Sequence, residues 1–548
     1  MNFLKIFCDS FIDNWDEPAI TSYSTGLTLT YASLGARIER VNRLLEVLKI
    51  PVGTHVAIVG NNSIDWITNY MAAMFYGAVT VTVQVTYDAD EMLSLLASAD
   101  VEILFIDPEL MPENPDFAFM PSLKLVVSQD TQRVLYYRPE VFDKAQVLID
   151  GLDQLFVNLY PGGFIPGDIS VHETKPDSPA AIFFTAGTVG APKPVLLSSD
   201  SMEGNLIFGM KNSLFPRGSN TLTTSSVGNV WGTIFNVLVP LASGAHITVF
   251  NDFYNSESLL VALRRVKPRR VIMSPRQLRE AYTLIESNFK RSSIYRFLNI
   301  LPFNRMLLYA AMRYAFNKAL GGNCREVVVG STNIERTLKK KLHRVGIHFT
   351  VSYGLVENGG LVCYTPAEDF IPTTVGHSIS SIVKCRVRPL ELEGFPDDVG
   401  ILETHGMTVM KEYYNDREST VQAFTSDGWL STRDLAVIDS KGLVTIVGRL
   451  DTIIVRPGGI IVPERLEATI VDMPEVKQAV IVDREGVLTA IVHPDYEHVG
   501  GDAHAAIADV IERVNSLTPG FIYIDEFEVS EKPLDITLKG TVARYKYF

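Results

Sequence analysis

The sequence contains few cysteines and no long apolar run. The first absence argues against a zinc-binding protein and the second against a membrane-spanning one. Its four cysteines are dispersed among 548 residues, without a Cys-x-x-Cys pair or a Cys/His cluster that would indicate zinc. No stretch reaches the roughly 18 apolar residues of a membrane-spanning helix. The apolar N-terminus is interrupted by Asp9 and Asp13, which is not typical of a signal peptide. We therefore expect reduced thiols and a cytoplasmic location.

Positive charge is also in deficit. The chain has 49 Lys and Arg against 63 Asp and Glu, a net charge of −14. Because phosphate backbones bind to basic surfaces, nucleic acid is not an expected partner. Hydrophobic residues make up 47% of the chain and aromatic residues 10%, as in well-packed globular proteins. A length of 548 residues exceeds one compact core, which predicts two or more domains.

A loop that follows the strand-like run 180–184 has the composition of a phosphate-binding loop but not the spacing of a Walker A motif. Residues 185–195 contain two glycines, two threonines, two prolines and Lys193. Glycines allow several backbone N–H groups to point into one concavity, where the hydroxyls and the lysine add donors for an anion. The alternative is an ordinary surface turn rich in Gly and Thr.

Three later segments favour the phosphate-binding interpretation of that loop. They are Ser-Tyr-Gly-Leu-Val-Glu at 352–357, Asp-Gly-Trp-Leu-Ser-Thr-Arg-Asp-Leu at 427–435 continuing to 447–451, and Thr-Leu-Lys-Gly-Thr-Val-Ala-Arg at 537–544. In this order and spacing, the four motifs resemble the signature of the adenylate-forming superfamily, which includes acyl-CoA synthetases, peptide-synthetase adenylation domains and beetle luciferases. The resemblance covers nearly the whole chain, and residues 406–414 also fit it.

The predicted fold class is α/β. Helical and strand patterns alternate from about residue 30 to 105 and again from 180 to 250, which indicates parallel sheets flanked by helices. We expect a large N-terminal adenylating domain over residues 1–449 and a small, mobile α+β lid domain over residues 450–548. Residues 152–180 hold several Gly, Pro and Asp and are predicted to be rich in loops.

The resemblance implies that ATP and Mg²⁺ are bound and that CoA is a co-substrate. Loop residues would hold the β- and γ-phosphates, a Tyr-Gly pair and a small-residue strand would form the adenine pocket, and an aspartate would accept both ribose hydroxyls. An arginine would contact ribose and phosphate. The ATP/AMP-binding residues implied in this way are Thr185, Gly187, Thr188, Gly190, Lys193, Ser331, Thr332, Tyr353, Gly354, Asp434 and Arg449.

Catalytic roles follow from the same resemblance. Glu357 matches the carboxylate that binds Mg²⁺, and Lys539 matches a lysine that stabilises the transition state at the α-phosphate. Asp451 resembles the hinge residue about which the C-terminal domain rotates. Asn229 and Trp231 stand at the acyl pocket, where Asn229 replaces a usual histidine. For Lys539 the alternative is a solvent-facing lysine in the tail.

Several positions depart from the family pattern. Ala186 and Val189 stand where Ser and Thr are usual, and Val356 replaces a threonine. Pro194 and Arg433 replace glycines. Each hydrogen bond lost to a charged group would weaken ATP binding by about 1.5–3 kcal/mol unless a neighbour substitutes for it.

The expected function is ATP-dependent activation of a carboxylic acid to an acyl-adenylate, followed by thioester formation with CoA. The spacing from Asp451 to Gly458 resembles the long-chain branch of the family, which favours a medium- or long-chain fatty acid. Two alternatives stay open: transfer of the acyl group to a carrier-protein thiol, and a catalytically degenerate relative that binds a nucleotide or an acyl group.

Residues 290–320 form a separate feature, in which arginines and lysines alternate with aromatic side chains. Pro302 divides the segment in two. Such a surface can rest on a membrane as a peripheral contact and admit a fatty acid. The alternative is a pair of helices packed on the large domain with solvated arginines.

Overall fold

The structure is a computed structural model that describes residues 3–113, 115–138, 145–185, 191–301, 304–330, 334, 336–390, 395, 398–456, 458–496, 498–535 and 542–547. All four cysteines are free thiols. None of the described helices combines the length and the apolarity needed to cross a bilayer.

An eight-stranded sheet forms the centre of the N-terminal part. Its five middle strands are parallel, as the alternating pattern predicted, and each edge is closed by antiparallel pairing. The middle strands are apolar on both faces because helices cover them on both sides. In spatial order the strands are Glu412–Tyr413, Pro194–Ser198, Pro179–Phe184, Val79–Thr82, His55–Val59, Ile103–Ile106, Leu125–Ser128 and Val134–Tyr137.

Four smaller sheets complete this part of the molecule. The first is mixed, the second is parallel, and the last two are antiparallel. Their strands are Asn220–Leu222, His246–Val249, Pro18–Ser22 and Thr28–Thr30; Arg270–Met273, Glu326–Val329 and Phe349–Val351; Cys363–Tyr364 and His377–Ser378; and Val383–Pro389, Gly400–Gly406, Leu430–Ile438 and Val444–Arg449.

The helices begin where the sequence supplies caps. Thr30 accepts the N–H of Ser33, and Asp88 and Glu91 form a reciprocal capping box. The described helices before residue 450 are Lys5–Asp13, Tyr31–Val47, Ile64–Tyr76, Ala89–Ser98, Ala145–Asp150, Leu152–Leu159, Ser199–Lys211, the π-helix Gly232–Leu238 with its α-helical continuation Val239–Ala242, Ser256–Val266, Pro275–Arg291, Ser293–Ile300, Arg305–Ala319, Arg336–Val345 and Arg417–Ala423.

Residues 152–180, predicted to be rich in loops, begin with the helix Leu152–Leu159 and contain one 3₁₀ turn, Pro166–Asp168. Leu152 is buried while Val157 and Leu159 are exposed, so the helix rests on the core through few of its apolar residues. The Gly and Pro residues that dominate the composition lie after this helix.

The C-terminal part has its own core, in which two helices pack on a three-stranded sheet. This confirms an α+β arrangement, while the domain boundary at residue 449 and the mobility of this part stay predictions. Its strands are Val476–Arg484, Val487–Pro494 and Glu526–Val529, its helices are Pro463–Val471 and Ala503–Leu517, and the hairpin Ile454–Arg456 and Gly459–Ile461 precedes them.

Candidate active site

The two ends of the phosphate-type loop are tied together. Strands Pro179–Phe184 and Pro194–Ser198 are antiparallel neighbours, and they bring Thr185 opposite Lys193. The N–H of Thr185 donates to the carbonyl of Lys193 at 3.0 Å, and the N–H of Lys193 donates to the Thr185 hydroxyl at 2.9 Å. The hydroxyl of Thr185 therefore accepts at the base of the loop. The other predicted loop residues, Gly187, Thr188 and Gly190, lie outside the described residues together with Ala186 and Val189.

The ammonium group of Lys193 is held by a neighbouring segment. It donates to the Ser419 hydroxyl at 2.5 Å and lies 3.7 Å from a carboxylate oxygen of Asp416. The same nitrogen is 5.2 Å from the ring centroid of Tyr413, within reach of a cation–π interaction. The side chain of Lys193 is 45% exposed, so an anion can reach it from solvent.

Tyr413 also binds Glu357. Its hydroxyl donates to Oε1 of Glu357 at 2.9 Å, and the N–H of Met410 donates to the Glu357 carbonyl at 2.8 Å. Burial, and then the negative charge of Glu357, raise the pKa of Tyr413 far above its ordinary value. The phenol thus stays protonated and acts as a donor that orients the carboxylate.

Glu357 fits the Mg²⁺ that the family resemblance implies. In the described part of the chain, no group of three or more His, Cys, Asp or Glu side chains could enclose a metal. A magnesium ion that is coordinated mainly by nucleotide phosphates needs only one or two carboxylates from the protein. A single oriented carboxylate is the donor set for that kind of binding.

Gly354 lies where the backbone passes very close to itself. A Cβ atom at this position would sit 1.5 Å from the carbonyl oxygen of Gly360, so no side chain fits. The preceding Tyr353 pairs with Cys363 through two backbone hydrogen bonds of 3.0 and 2.9 Å. The Tyr-Gly pair therefore lies in a short antiparallel bridge, where the backbone of Gly360 occupies the space that a side chain on residue 354 would need.

Asp434 joins three of the predicted site residues. Strands Leu430–Ile438 and Val444–Arg449 place Asp434 directly opposite Arg449, and Nη1 of Arg449 donates to Oδ1 of Asp434 at 2.8 Å. The hydroxyl of Tyr353 donates to Oδ2 at 2.5 Å. Asp434 is buried, and burial followed by the charge of Asp434 raises the pKa of Tyr353 well above its ordinary value. Both carboxylate oxygens are therefore engaged by the protein.

The predicted hinge residue belongs to the same cluster. Oδ2 of Asp451 lies 3.3 Å from Nη2 of Arg449, and Oδ1 of Asp451 accepts a hydrogen bond from Nε of Arg433 at 2.8 Å. Burial alone would raise the pKa of Asp451, but Arg433 and Arg449 hold it below its ordinary value. Arg433 adopts a left-handed backbone conformation with φ of +60°. This arginine thus keeps the conformation that suits the glycine it replaces.

The two residues predicted for the acyl pocket lie at the start of the π-helix. Oδ1 of Asn229 accepts the N–H of Gly232 at 2.8 Å, which caps the helix. The Trp231 ring lies 4.9 Å from the Phe235 ring between centroids and packs on the backbone of Gly330. Trp231 therefore touches the end of strand Glu326–Val329, and Ser331 and Thr332, which follow it, lie outside the described residues.

Sequence reasoning gave no role to Tyr413, although residues 406–414 were recognised as matching the family. Arg433 is a departure from the family pattern, and the sequence did not predict that its guanidinium binds Asp451. Lys539 lies outside the described residues. Close to it in sequence, Arg544 donates to Glu467 at 2.8 Å and lies 3.2 Å from Glu464, which ties the end of the chain to helix Pro463–Val471.

Comparison with known proteins identifies the family of the chain. The AMP-binding enzyme family matches residues 13–414. A long-chain-fatty-acid–CoA ligase of Mycobacterium bovis is 25% identical over 86% of this chain and 78% of that protein. An indoleacetate–CoA ligase of Aromatoleum aromaticum is 22% identical over 83% of this chain and 80% of that protein.

Solved structures show the same fold. ATP-bound MatB from Rhodopseudomonas palustris superposes with a TM-score of 0.77 at 21% identity, covering 100% of this chain and 98% of that chain. An anthranilate CoA ligase in complex with anthranoyl-AMP superposes with a TM-score of 0.76 at 17% identity, over 100% of this chain and 96% of that chain. With the family match spanning most of its length, the chain belongs to the AMP-binding enzymes, the adenylate-forming family.

Proposed function

We propose that this protein activates a medium- or long-chain fatty acid with ATP and joins it to CoA. The observation that carries the proposal is the cluster around Asp434. There, Tyr353 meets Asp434, which is paired with Arg449 on the neighbouring strand, and the hydrogen bonds are 2.5 and 2.8 Å long. A buried carboxylate that is oriented by two donors is suited to the hydroxyls of a ribose.

In the first step, a carboxylate oxygen of the acid attacks the α-phosphorus of ATP. The bond from that phosphorus to the bridging oxygen of the β-phosphate breaks, and pyrophosphate leaves. Lys193 is proposed to hold the β- and γ-phosphates, and Lys539 to stabilise the charge that develops between the carboxylate and the α-phosphate. Glu357, oriented by Tyr413, would hold Mg²⁺, which screens the phosphate oxygens when it is bound.

In the second step, the thiol of CoA releases its proton to solvent and its sulfur attacks the acyl carbon. The bond from that carbon to the phosphate oxygen breaks, and AMP leaves. We propose that residues 450–548 form a lid that rotates about Asp451 between the two steps. Both charged partners of Asp451, Arg433 and Arg449, precede it in the chain, so rotation of the residues that follow would change these contacts.

The proposed fatty acid rests on two supports. Trp231, which packs against the buried Phe235, is a partly buried aromatic side chain beside the end of strand Glu326–Val329. Several relatives are named long-chain-fatty-acid–CoA ligases, among them those of Mycobacterium bovis and mouse. The indoleacetate and anthranilate ligases among the similar proteins act on aromatic acids, so a bulky apolar acid is the shared expectation.

The test is AMP release with ATP, Mg²⁺ and CoA across acids from acetate to oleate. We compare the wild type with Lys539→Ala and with the matched control Lys532→Ala, which removes an exposed lysine from the same tail. We expect release that rises with acid chain length, is retained in Lys532→Ala, and falls by about a hundredfold or more in Lys539→Ala.

Other outcomes separate the alternatives. Acid-dependent pyrophosphate exchange without CoA-dependent AMP release would favour a carrier-protein acceptor, which a phosphopantetheinylated carrier would then reveal. Measurable ATP binding without exchange for any acid would contradict the proposal and identify a degenerate binder, consistent with the altered residues Ala186, Val189 and Val356.

A further inference from the structure

The helices Ser293–Ile300 and Arg305–Ala319, with the last turn of Pro275–Arg291 before them, form a basic hairpin, here defined as the described residues 290–301 and 304–319. Residues 287–325 contain seven Lys and Arg and no Asp or Glu. Since the whole chain has a net charge of −14, the remainder carries −21 against +7 for this segment. So strong a local excess of one sign in an acidic protein requires an explanation beyond solubility.

Large apolar side chains stand among these cations on the outside of the molecule. Helix Ser293–Ile300 has no buried residue. On it, Ile294, Phe297 and Ile300 follow at intervals of three, which places them on one face, and they are 59%, 66% and 84% exposed. On the second helix, Met306 is 79% exposed and Tyr314 is 69% exposed.

The hairpin is anchored, so this exposure is a feature of the packed structure. Met312 and Phe316 are buried on the inner face of the second helix, and the Phe316 ring lies 6.3 Å from that of Tyr282 between centroids. At the turn before the first helix, the hydroxyl of Ser292 accepts the N–H of Tyr295 at 3.1 Å. The inner face of the second helix thus packs on the core, and the apolar residues of the outer face are exposed to solvent.

We propose that the basic hairpin is a docking surface for an anionic lipid bilayer. Cationic side chains interleaved with Ile, Phe and Met match the boundary between head groups and acyl chains, where the charges meet phosphate and the apolar groups enter the hydrocarbon. A second copy of this chain is a poor occupant, because a two-fold pair through the hairpin would bring twelve like charges together, of which, within the described part of the chain, only Lys290 has an acidic neighbour, Glu286, on its own helix.

The docking surface goes beyond the proposed function and does not depend on it. Vesicle binding requires neither ATP nor an acid, so its failure leaves the proposed activity untouched, and the reverse also holds. None of the hairpin residues belongs to the cluster around Asp434 or to the contacts of Lys193.

The test is flotation of the full-length protein with vesicles of phosphatidylcholine alone or with added phosphatidylglycerol, at low and at high salt. The apolar variant is Ile294→Ser/Phe297→Ser/Ile300→Ser, and the charge variant is Arg291→Gln/Arg296→Gln/Arg305→Gln. The matched control replaces the exposed apolar residues Val147, Val157 and Leu159 by Ser; these lie beside Asp150 and Asp153 instead of beside cations.

We expect binding to the anionic vesicles only, with a loss at high salt. The charge variant should bind about a hundredfold more weakly, because each basic residue near an anionic surface contributes about fivefold. The apolar variant should lose binding at both salt concentrations, and the control variant should bind like the wild type. AMP release with a soluble acid in the absence of vesicles should be the same in all four proteins.

Three results would overturn the proposal. They are no flotation of the folded wild type with anionic vesicles, equal loss of binding in the control variant, and association of the protein with itself, seen as a concentration-dependent rise in mass that the apolar variant abolishes. Circular dichroism of each variant shows whether it is folded before its binding is interpreted.

Discussion

Arg433 binds the carboxylate of Asp451 from a left-handed backbone conformation, with Nε and Oδ1 2.8 Å apart and φ of +60°. An arginine in this conformation is less stable than a glycine by about 1 kcal/mol. The guanidinium is 57% exposed, so the ion pair contributes at most about 1 kcal/mol. The two effects are similar in size and opposite in sign.

We therefore expect Arg433→Gly to leave the free energy of unfolding within about 1 kcal/mol of the wild type, whereas Arg433→Ala keeps the backbone strain and loses the pair. The alanine variant should be less stable than the glycine variant by about 1 kcal/mol, measured by denaturant midpoints. Glu485, which also has a positive φ of +53° in an exposed turn, supplies the control pair Glu485→Gly and Glu485→Ala. Equal stability of the two Arg433 variants would contradict the assignment of strain.

The same pair has a kinetic consequence if the lid rotates about Asp451. Losing an interaction of up to about 1 kcal/mol shifts the balance between two conformations by up to about fivefold. In Arg433→Gly, we expect the ratio of thioester formation to pyrophosphate exchange to change by no more than that factor. A change of a hundredfold would mean that Arg433 contacts the substrates themselves.

Gly354→Ala should be severely destabilising. Its Cβ would lie 1.5 Å from the carbonyl oxygen of Gly360, and a backbone atom cannot move aside as a flexible side chain can. We expect a loss of about 3 kcal/mol in the free energy of unfolding, together with loss of ATP binding. Gly162→Ala is the control, because a Cβ there meets nothing within 4 Å. A stable Gly354→Ala protein would show that the two backbone segments are farther apart than described.

Replacing Asp434 tests the nucleotide site directly. In Asp434→Asn, the charge that pairs with Arg449 is lost while the shape is kept, and we expect ATP affinity to fall at least tenfold more than in Tyr353→Phe. The phenylalanine variant loses one hydrogen bond to a charged group, and such a bond contributes about 1.5–3 kcal/mol. Calorimetric titration with ATP measures both. Asp439→Asn, in a turn of the same sheet, should bind ATP normally, and equal losses in Asp439→Asn and Asp434→Asn would contradict the assignment.

Stability of the C-terminal part should decrease as pH rises towards neutrality. Burial raises the pKa of Glu467 from 4.5 to about 7, although Arg544 acts in the opposite direction. A carboxyl with a raised pKa stabilises the fold below its unfolded value, and this contribution is lost as pH rises through about 7. The effect amounts to a few kcal/mol, because a tenfold change in proton affinity corresponds to about 1.4 kcal/mol.

In Glu467→Gln, we expect the slope of stability between about pH 5 and about pH 8 to flatten. The control is Glu528→Gln, since Glu528 is 53% exposed in its pair with Arg484. Thermal unfolding across that pH range gives the slopes. An unchanged slope in Glu467→Gln would show that the carboxylate stays ionised beside Arg544.

The sequence predicted the parallel core of the fold because its strands are short apolar runs between helices of regular period. Residues 55–59, 79–82 and 103–106 were identified in this way, each within a few positions. The antiparallel sheet over 383–449 was not predicted. Its strands carry exposed polar residues on one face, and the pairing joins segments whose register no local pattern records.

The site was predictable only as a set of motifs. Asp434 and Arg449 were identified from the family pattern, but their direct opposition depends on strand register. The contact of Tyr413 with Glu357 joins residues 56 positions apart. The ion pair between Arg433 and Asp451 could not be predicted from the family pattern, because that pattern has a glycine at position 433.

Charge is segregated around the basic hairpin, with +7 in residues 287–325 and −21 in the rest of the chain, and this segregation gives the molecule an electric dipole. The field of a charged surface exerts a torque on a dipole, so it can rotate the protein before the two are in contact. Within about 8 Å of an anionic surface at physiological salt, the field is still felt and turns the hairpin towards it. The direction of approach is therefore selected at a distance, and the acidic remainder of the protein is turned away from the surface.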